Sequence, residues 1–260
     1  MTIDRVAAFR RERAAVLSFC GELSPAQWRA DSAAAGWRVQ DTVAHMGASC
    51  RALFTPAALT LITTKDIERA NEDPVDARRG WQGWQLLAEY ERWSGRALRA
   101  ASIVARTPAR HLRMRLGELG SFEFGVTLPG AMVFDHHLHL RHDIAPALGL
   151  AVPETDSDRM TVVIEWMLAV FSNQLKAHPP SWLRDAVDLE LRGDGGGRWR
   201  IHPDGALTVA RGSGAPSAVH SSADNFPLWA TTRIGWRDAD VELVGDRDQL
   251  TTLLDSINIV

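Results

Sequence analysis

Between residues 135 and 143 the chain reads Asp-His-His-Leu-His-Leu-Arg-His-Asp, and no other stretch limits the fold as much. Four of the nine histidines lie in this run, with an aspartate at each end. Apolar residues flank it, Ala131 to Phe134 before and Ile144 after, as in a buried or half-buried helix rather than a solvated tail. At about 100° per residue, Asp135, His139 and His142 share one face at spacing i, i+4, i+7. His136 lies beside that face, and His137 points roughly the opposite way. Two ligand-type side chains four residues apart offer two arms to one metal ion, and a third must come from elsewhere. Burying these rings without partners would cost about 1–3 kcal/mol each.

Around this helix the chain has a consistent order. Residues 4–22 carry an apolar stripe (Val6, Phe9, Val16, Leu17, Cys20) opposite an Arg/Glu face, which predicts a helix. Ser24-Pro25-Ala26-Gln27 is a helix start, with Ser at N-cap, Pro at N1 and Gln at N3. A helix is expected from about Val39 to Leu59, and another from Trp81 to about Ala105. Between them, Asp66 to Gly80 is charged and broken by Pro74. Leu116 to Pro129 is glycine-rich and reads as loop, and the histidine helix runs from about Pro129 to Leu148. Asp156-Ser157-Asp158 opens a last long helix, which His178-Pro179-Pro180 stops.

After residue 180 the pattern changes to strict alternation. Val187 to Arg192 and Arg198 to His202 read as strands joined by a turn at Gly193–Gly197, which makes a hairpin. Residues 206–209 and 241–244 are further strands, and 222–232 and 250–257 suit helices. The expected architecture is α + (α+β): an all-α domain over residues 1–180 and a small α+β domain over 181–260.

Composition removes several function classes. A net charge of −3 gives no reason to expect nucleic acid or an anionic membrane as partner. No apolar run approaches about 18 residues, so no transmembrane helix is expected. The N-terminal residues lack a signal peptide's apolar core, and Cys20 and Cys50 cannot make a disulfide framework. A cytoplasmic protein is expected. The Gly193–Gly197 run lacks the Lys-Ser/Thr of a phosphate loop, and a hairpin explains it. His220, Ser221, Ser222 and Asp224 are too close in sequence for a nucleophilic triad, and Ser222 or Asp224 suits a helix cap. Cys50, off the His45 face, reads as core.

Two stretches and the C-terminal region together resemble a known family. Leu23 to Trp28, then Gly36-Trp37-Arg-Val-Gln-Asp-Thr-Val-Ala-His45, is similar to the N-terminal signature of the mycothiol-dependent maleylpyruvate isomerase family, within the DinB/YfiT-like superfamily. Val133-Phe134-Asp135 through His139 to Asp143-Ile144 resembles its second metal motif. The region after residue 180, with Leu228 to Arg233 and Val244-Gly245-Asp246, is similar to its sterol-carrier-like C-terminal domain.

The resemblance implies a DinB-like four-helix bundle holding one divalent metal, usually zinc, through His45, Asp135 and His139. The sequence departs from the family pattern twice. Arg38 stands where members often carry a capping serine, and the interval from His139 to Asp143 is one residue longer. The second departure keeps His136 and His142 as alternate ligands. The other role open to His142 and Asp143 is to orient a ligand by a hydrogen bond. The resemblance further implies mycothiol as thiol cosubstrate, a small-molecule electrophile as substrate, and Arg233 binding an anionic group. A monomer or weak homodimer is expected. The leading functional reading is a metal-dependent thiol transferase or isomerase; the alternative is a non-catalytic protein that binds metal and a small ligand.

Overall fold

The computed structural model describes residues 3–259. By internal packing the chain divides between Thr155 and Asp156 into two compact units. The first unit is a four-helix bundle of α1 (Arg5–Gly21), α3 (Val39–Ala52), α6 (Gly83–Val104) and α7 (Phe124–Leu138). Its core gathers Val16 and Cys20 of α1, Val43 and Met46 of α3, and Leu86 and Tyr90 of α6, with Leu140 and Ile144 just beyond α7. Each set recurs at three- or four-residue spacing, the stripe that a 3.6-residue repeat turns inward. The short α2 (Pro25–Arg29) forms as its sequence predicts. Ser24 Oγ accepts from the Gln27 N–H, and Gln27 Oε1 accepts from the Ser24 N–H. Its Trp28 lies against the start of α6, where a Cβ at Gly83 would collide with the indole.

Three segments of this unit differ from the sequence expectation. The helix expected to run from Val39 to Leu59 stops at Ala52, and a separate α4 covers Ala57–Thr63. Pro56 cannot supply the N–H that a continuous helix would need. The charged stretch 66–80 is not simply broken: it forms α5 (Ile67–Asp76) with Pro74 inside it. Asp66 caps α5, its Oδ1 accepting from the Arg69 N–H at 2.9 Å. The expected loop 116–129 contains β2 (Ser121–Glu123), paired antiparallel with β1 (Arg113–Arg115). It also contains the first turn of α7, which therefore begins before Pro129.

Beyond α7 the helix widens into a π turn over His139–Ile144. A π turn closes i to i+5 and holds one residue more than an α turn. A residue four places on then returns over its predecessor about as a residue three places on does in an α-helix. His139 and Asp143 both lie in this turn, and their side chains meet at 2.7 Å.

The second unit opens with α8 (Ser157–Ala177), capped by Asp156 through the Arg159 N–H. Sequence periodicity sets this helix with the bundle by placing the boundary at residue 180. That position marks a change of secondary structure, whereas the division by packing falls earlier. The sheet follows in the order β5-β4-β3-β6-β7. Its strands are β3 (Val187–Arg192), β4 (Gly197–Ile201), β5 (Leu207–Val209), β6 (Ser217–Ser222) and β7 (Glu242–Val244). The pair β3–β6 is parallel and the others antiparallel. β3 turns Val187, Leu189 and Leu191 inward. It also buries Asp188, which Arg200 Nε satisfies at 2.7 Å and the Ala215 N–H at 3.0 Å. Two helices, α9 (Phe226–Ala230) and α10 (Arg247–Asp255), complete the unit. No described helix is long and apolar enough to cross a membrane.

Candidate metal centre

The site is built from α3 and α7. His45 stands on the buried side of α3, whose first turn is held by Asp41. The Asp41 carboxylate accepts from the Arg38 N–H at 3.0 Å and the Arg38 guanidinium at 3.1 Å. A carboxylate three residues into a helix reaches back to a free N–H of the first turn, which is half of a capping box. This contact holds the helix start with no serine or threonine at the cap. Asp135 lies near the end of α7 and His139 opens the π turn.

His45 Nε2 is 2.9 Å from Asp135 Oδ1, and His139 Nε2 is 3.5 Å from the same oxygen. One donor atom from each of the three residues lies within 4.8 Å of the others. The imidazoles meet edge to face with centroids 5.1 Å apart. Trp37 packs its indole against both, 5.1 Å from His45 and 6.1 Å from His139, and donates from Nε1 to Glu72 Oε2 of α5 at 2.9 Å.

Electrostatics give the cluster a direction. Burial works against a charged His139. Hydrogen bonds to Asp135 and Asp143, and the charges of both carboxylates, outweigh it and raise the ring to about 9. Burial would likewise raise Asp135, but the His45 charge and the two imidazole hydrogen bonds hold its carboxyl well below the usual range. Asp135 Oδ2 is buried with no hydrogen-bond partner. A carboxylate with one unsatisfied oxygen, facing two imidazoles, takes up positive charge: a proton on His139 or a cation among the three. Two nitrogens and one carboxylate oxygen are a donor set that suits zinc and leaves a fourth position open. The Asp143 carboxylate at His139 Nδ1 holds the proton on that nitrogen and leaves Nε2 for an ion held between it and Asp135. The residues present therefore fit a divalent ion.

The two alternates of the sequence reading stand outside the three converging donors, although His136 Nε2 comes to 4.0 Å from Asp135 Oδ2. His136 is fully buried, with Nδ1 3.3 Å from the Tyr90 hydroxyl and Nε2 3.9 Å from Cys50 Sγ. Burial brings its pKa down to about 4, so it packs as a neutral core ring. His142 lies 5.7 Å from His137, ring to ring. Neither belongs to the converging donors. The cysteines are core, as expected: burial pushes the Cys20 thiol up to about 12, and raises Cys50 as well. Of the two residues that the sequence offers for orienting a ligand, Asp143 is the one on His139. Its i, i+4 spacing from that ring is the signal. Sequence reasoning missed Trp37 as the ring that covers both imidazoles, and nothing in its spacing marks it.

Arg233 belongs to the second unit, where its Nη1 donates to Thr231 Oγ1 at 3.1 Å. The chain leaves α9 through Thr232, whose φ of 58° is left-handed and an outlier for a β-branched residue. The Thr232 and Arg233 N–H groups return to the carbonyls of Trp229 and Leu228, which is a Schellman closure. That closure sets where Arg233 begins.

These features define a helical bundle that presents two imidazoles and a carboxylate to one point from two of its helices. A family model described as the mycothiol maleylpyruvate isomerase N-terminal domain matches residues 9–145. The chain belongs to that family, and membership sets it among isomerase-type enzymes.

Among solved structures, the mycothiol-dependent maleylpyruvate isomerase is 15% identical, with 92% of this chain and 91% of that one covered at a TM-score of 0.56. A histidine-to-alanine mutant of that enzyme gives 14% identity, the same coverage and 0.54. Both share the fold. Sterol Carrier Protein 2 Like 2 from Aedes aegypti is 17% identical over 38% of this chain and 98% of that one. Its TM-score of 0.34 is too low to carry an argument. No curated protein matches the chain.

Proposed function

We propose that the protein is a metal-dependent thiol transferase or isomerase, with His45, Asp135 and His139 as ligands of a divalent metal, zinc by donor type. The observation that carries this reading is the convergence of His45 Nε2, Asp135 Oδ1 and His139 Nε2 within 4.8 Å, in a chain of this family. When bound, the ion would lower the pKa of a low-molecular-weight thiol and favour its thiolate at neutral pH. The thiol proposed is mycothiol, the cosubstrate named for the family.

The chain's own residues do the rest. Asp143 holds the His139 ring in one tautomer, and Trp37 restrains both imidazoles from the side. Asp135 supplies the negative charge that offsets part of the ion's. Arg233 is proposed to neutralise a carboxylate of the substrate.

The test is elemental analysis of untagged protein purified without added metal, followed by thiol consumption with an electrophile in the presence of mycothiol. One equivalent of metal and metal-dependent thiol consumption are expected. Stoichiometric metal without any thiol chemistry would favour the binding-protein alternative, and no metal at all would remove both readings.

A further inference from the structure

Beside His45, between α3, α4 and α5, lies a cavity of about 130 Å³. His45 forms part of its wall, so an occupant touches a ring of the metal centre. Three helices set its width with the smallest side chains they could carry: Ala48 and Ala52 of α3, Ala57 of α4 and Ala70 of α5. Leu61 and Pro74 close the apolar wall. Larger residues at the alanines would fill the space, so the room exists because these positions are small.

The polar groups on the wall narrow the occupant further. Ser49, Thr60 and Asn71 are neutral, and Asp73 is the one carboxylate among the described residues there. No arginine or lysine is among the described residues that line the cavity. The nearby Arg79 is engaged with Asp41, Asp76 and Glu72. A carboxylate placed here would lose part of its water, meet no arginine or lysine and face Asp73. The pocket is open to solvent along Ala57, Thr60 and Asp73, and its volume is close to that of an enclosed apolar cavity of about 150 Å³ that accepts a benzene-sized molecule.

We infer that the cavity between α3, α4 and α5 is a specificity subsite for an uncharged, apolar group of about six heavy atoms, carried by the electrophile. This deepens the proposed thiol chemistry and rests on it for the word electrophile. Any carboxylate of the substrate is bound elsewhere, in keeping with the role proposed for Arg233, and it is the apolar group that enters here.

The experiment separates the subsite from the chemistry by measuring binding without thiol or turnover. Fluorobenzene and 4-fluorobenzoate are titrated into the full-length protein and followed by ¹⁹F NMR. Fluorobenzene should bind at least about tenfold more tightly than the carboxylate. Ala70→Leu and, independently, Ala57→Leu should each weaken fluorobenzene at least about tenfold by filling the cavity. Asp73→Asn should narrow the gap between the two probes by about threefold, because only part of the discrimination is Coulombic.

Fluorobenzoate binding as tightly as fluorobenzene would overturn the inference. So would fluorobenzene binding that neither leucine variant changes, or none to the unaltered protein. Should the protein bind fluorobenzene as expected but consume no thiol with any electrophile, the subsite stands and the proposed chemistry fails. If thiol is consumed without fluorobenzene binding, the chemistry stands and the subsite fails.

Discussion

The end of α7 and its π turn carry two buried polar clusters on opposite sides. They solve the same problem differently. On one side Asp135 meets His45 and His139. On the other, Glu12 of α1 meets Arg141 at 2.7 Å and His137 at 3.5 Å. The Glu12 cluster carries its own counter-charge within the protein. Arg141 is a permanent cation, and its remaining N–H groups donate to the carbonyls of Pro153 and Glu154 at 3.0 and 2.9 Å. The Asp135 cluster has no such cation among the described residues, and two imidazoles face its carboxylate instead. A buried carboxylate with a guanidinium braces the bundle, and one with only imidazoles can bind an ion.

The largest expected effect breaks the comparison on the ligand side. His45→Ala and His139→Ala should each abolish stoichiometric metal binding, measured by elemental analysis, while His137→Ala keeps it. Metal retained in the first two, or lost only in the third, would assign the wrong side.

Next in size is the brace. Glu12→Gln leaves Arg141 buried without its counter-charge and should cost about 3–5 kcal/mol in urea unfolding. Metal content should stay the same. Burial would raise the Glu12 carboxyl, but the His137 contact and the Arg141 charge bring it down to about 2. A depressed acid stabilises the fold above its unfolded pKa, near 4.5, and that contribution disappears as pH falls through about 2. Glu12→Gln should therefore flatten the acid limb of the stability curve. An unchanged limb would show that Glu12 does not titrate in this way.

Two smaller effects sharpen the ligand side. Asp143→Asn should weaken metal affinity about 10–100-fold in chelator competition, because His139 loses the partner that fixes its tautomer. The pH dependence follows from His139, raised to about 9 without metal. Binding must displace that proton, so affinity should fall about tenfold per pH unit below 9 and level off above it. A flat profile between pH 7 and 9 would mean that the ring is not protonated in the metal-free protein.

Part of the convergence of His45, Asp135 and His139 was legible in the sequence. Asp135 and His139 stand four apart, which any helix brings to one face. His45 came from the resemblance alone, because a single histidine on an apolar helix carries no spacing signal. The brace was not legible. Periodicity put Glu12 on the exposed Arg/Glu face of α1, yet it is fully buried. Its partner Arg141 lies 129 residues away, and no local pattern announces it.

His136 was kept as an alternate ligand because i−3 and i−4 differ little on a helical wheel. In the structure its ring packs against Tyr90 and Phe9, outside the three converging donors. In the second unit, β3 and β4 showed by alternation. β6 (Ser-Ala-Val-His-Ser-Ser) did not, because two of the residues it turns inward, Ser217 and Ser221, are polar and hide the alternation. The helix expected over 222–232 contracts to α9 because Ser222 closes that strand.

Asp143 serves the site twice. Its carboxylate holds His139. Its main-chain carbonyl accepts from the Ala33 N–H at 2.9 Å, tying down the loop that delivers Trp37. Every amino acid carries that second atom. Substitution at 143 can silence the first task and leave the second untouched. Comparing sequences at this position registers the ring's partner and is blind to the tether. The placement of Trp37 is thus inherited through the course of the backbone, in a form that no alphabet of side chains records.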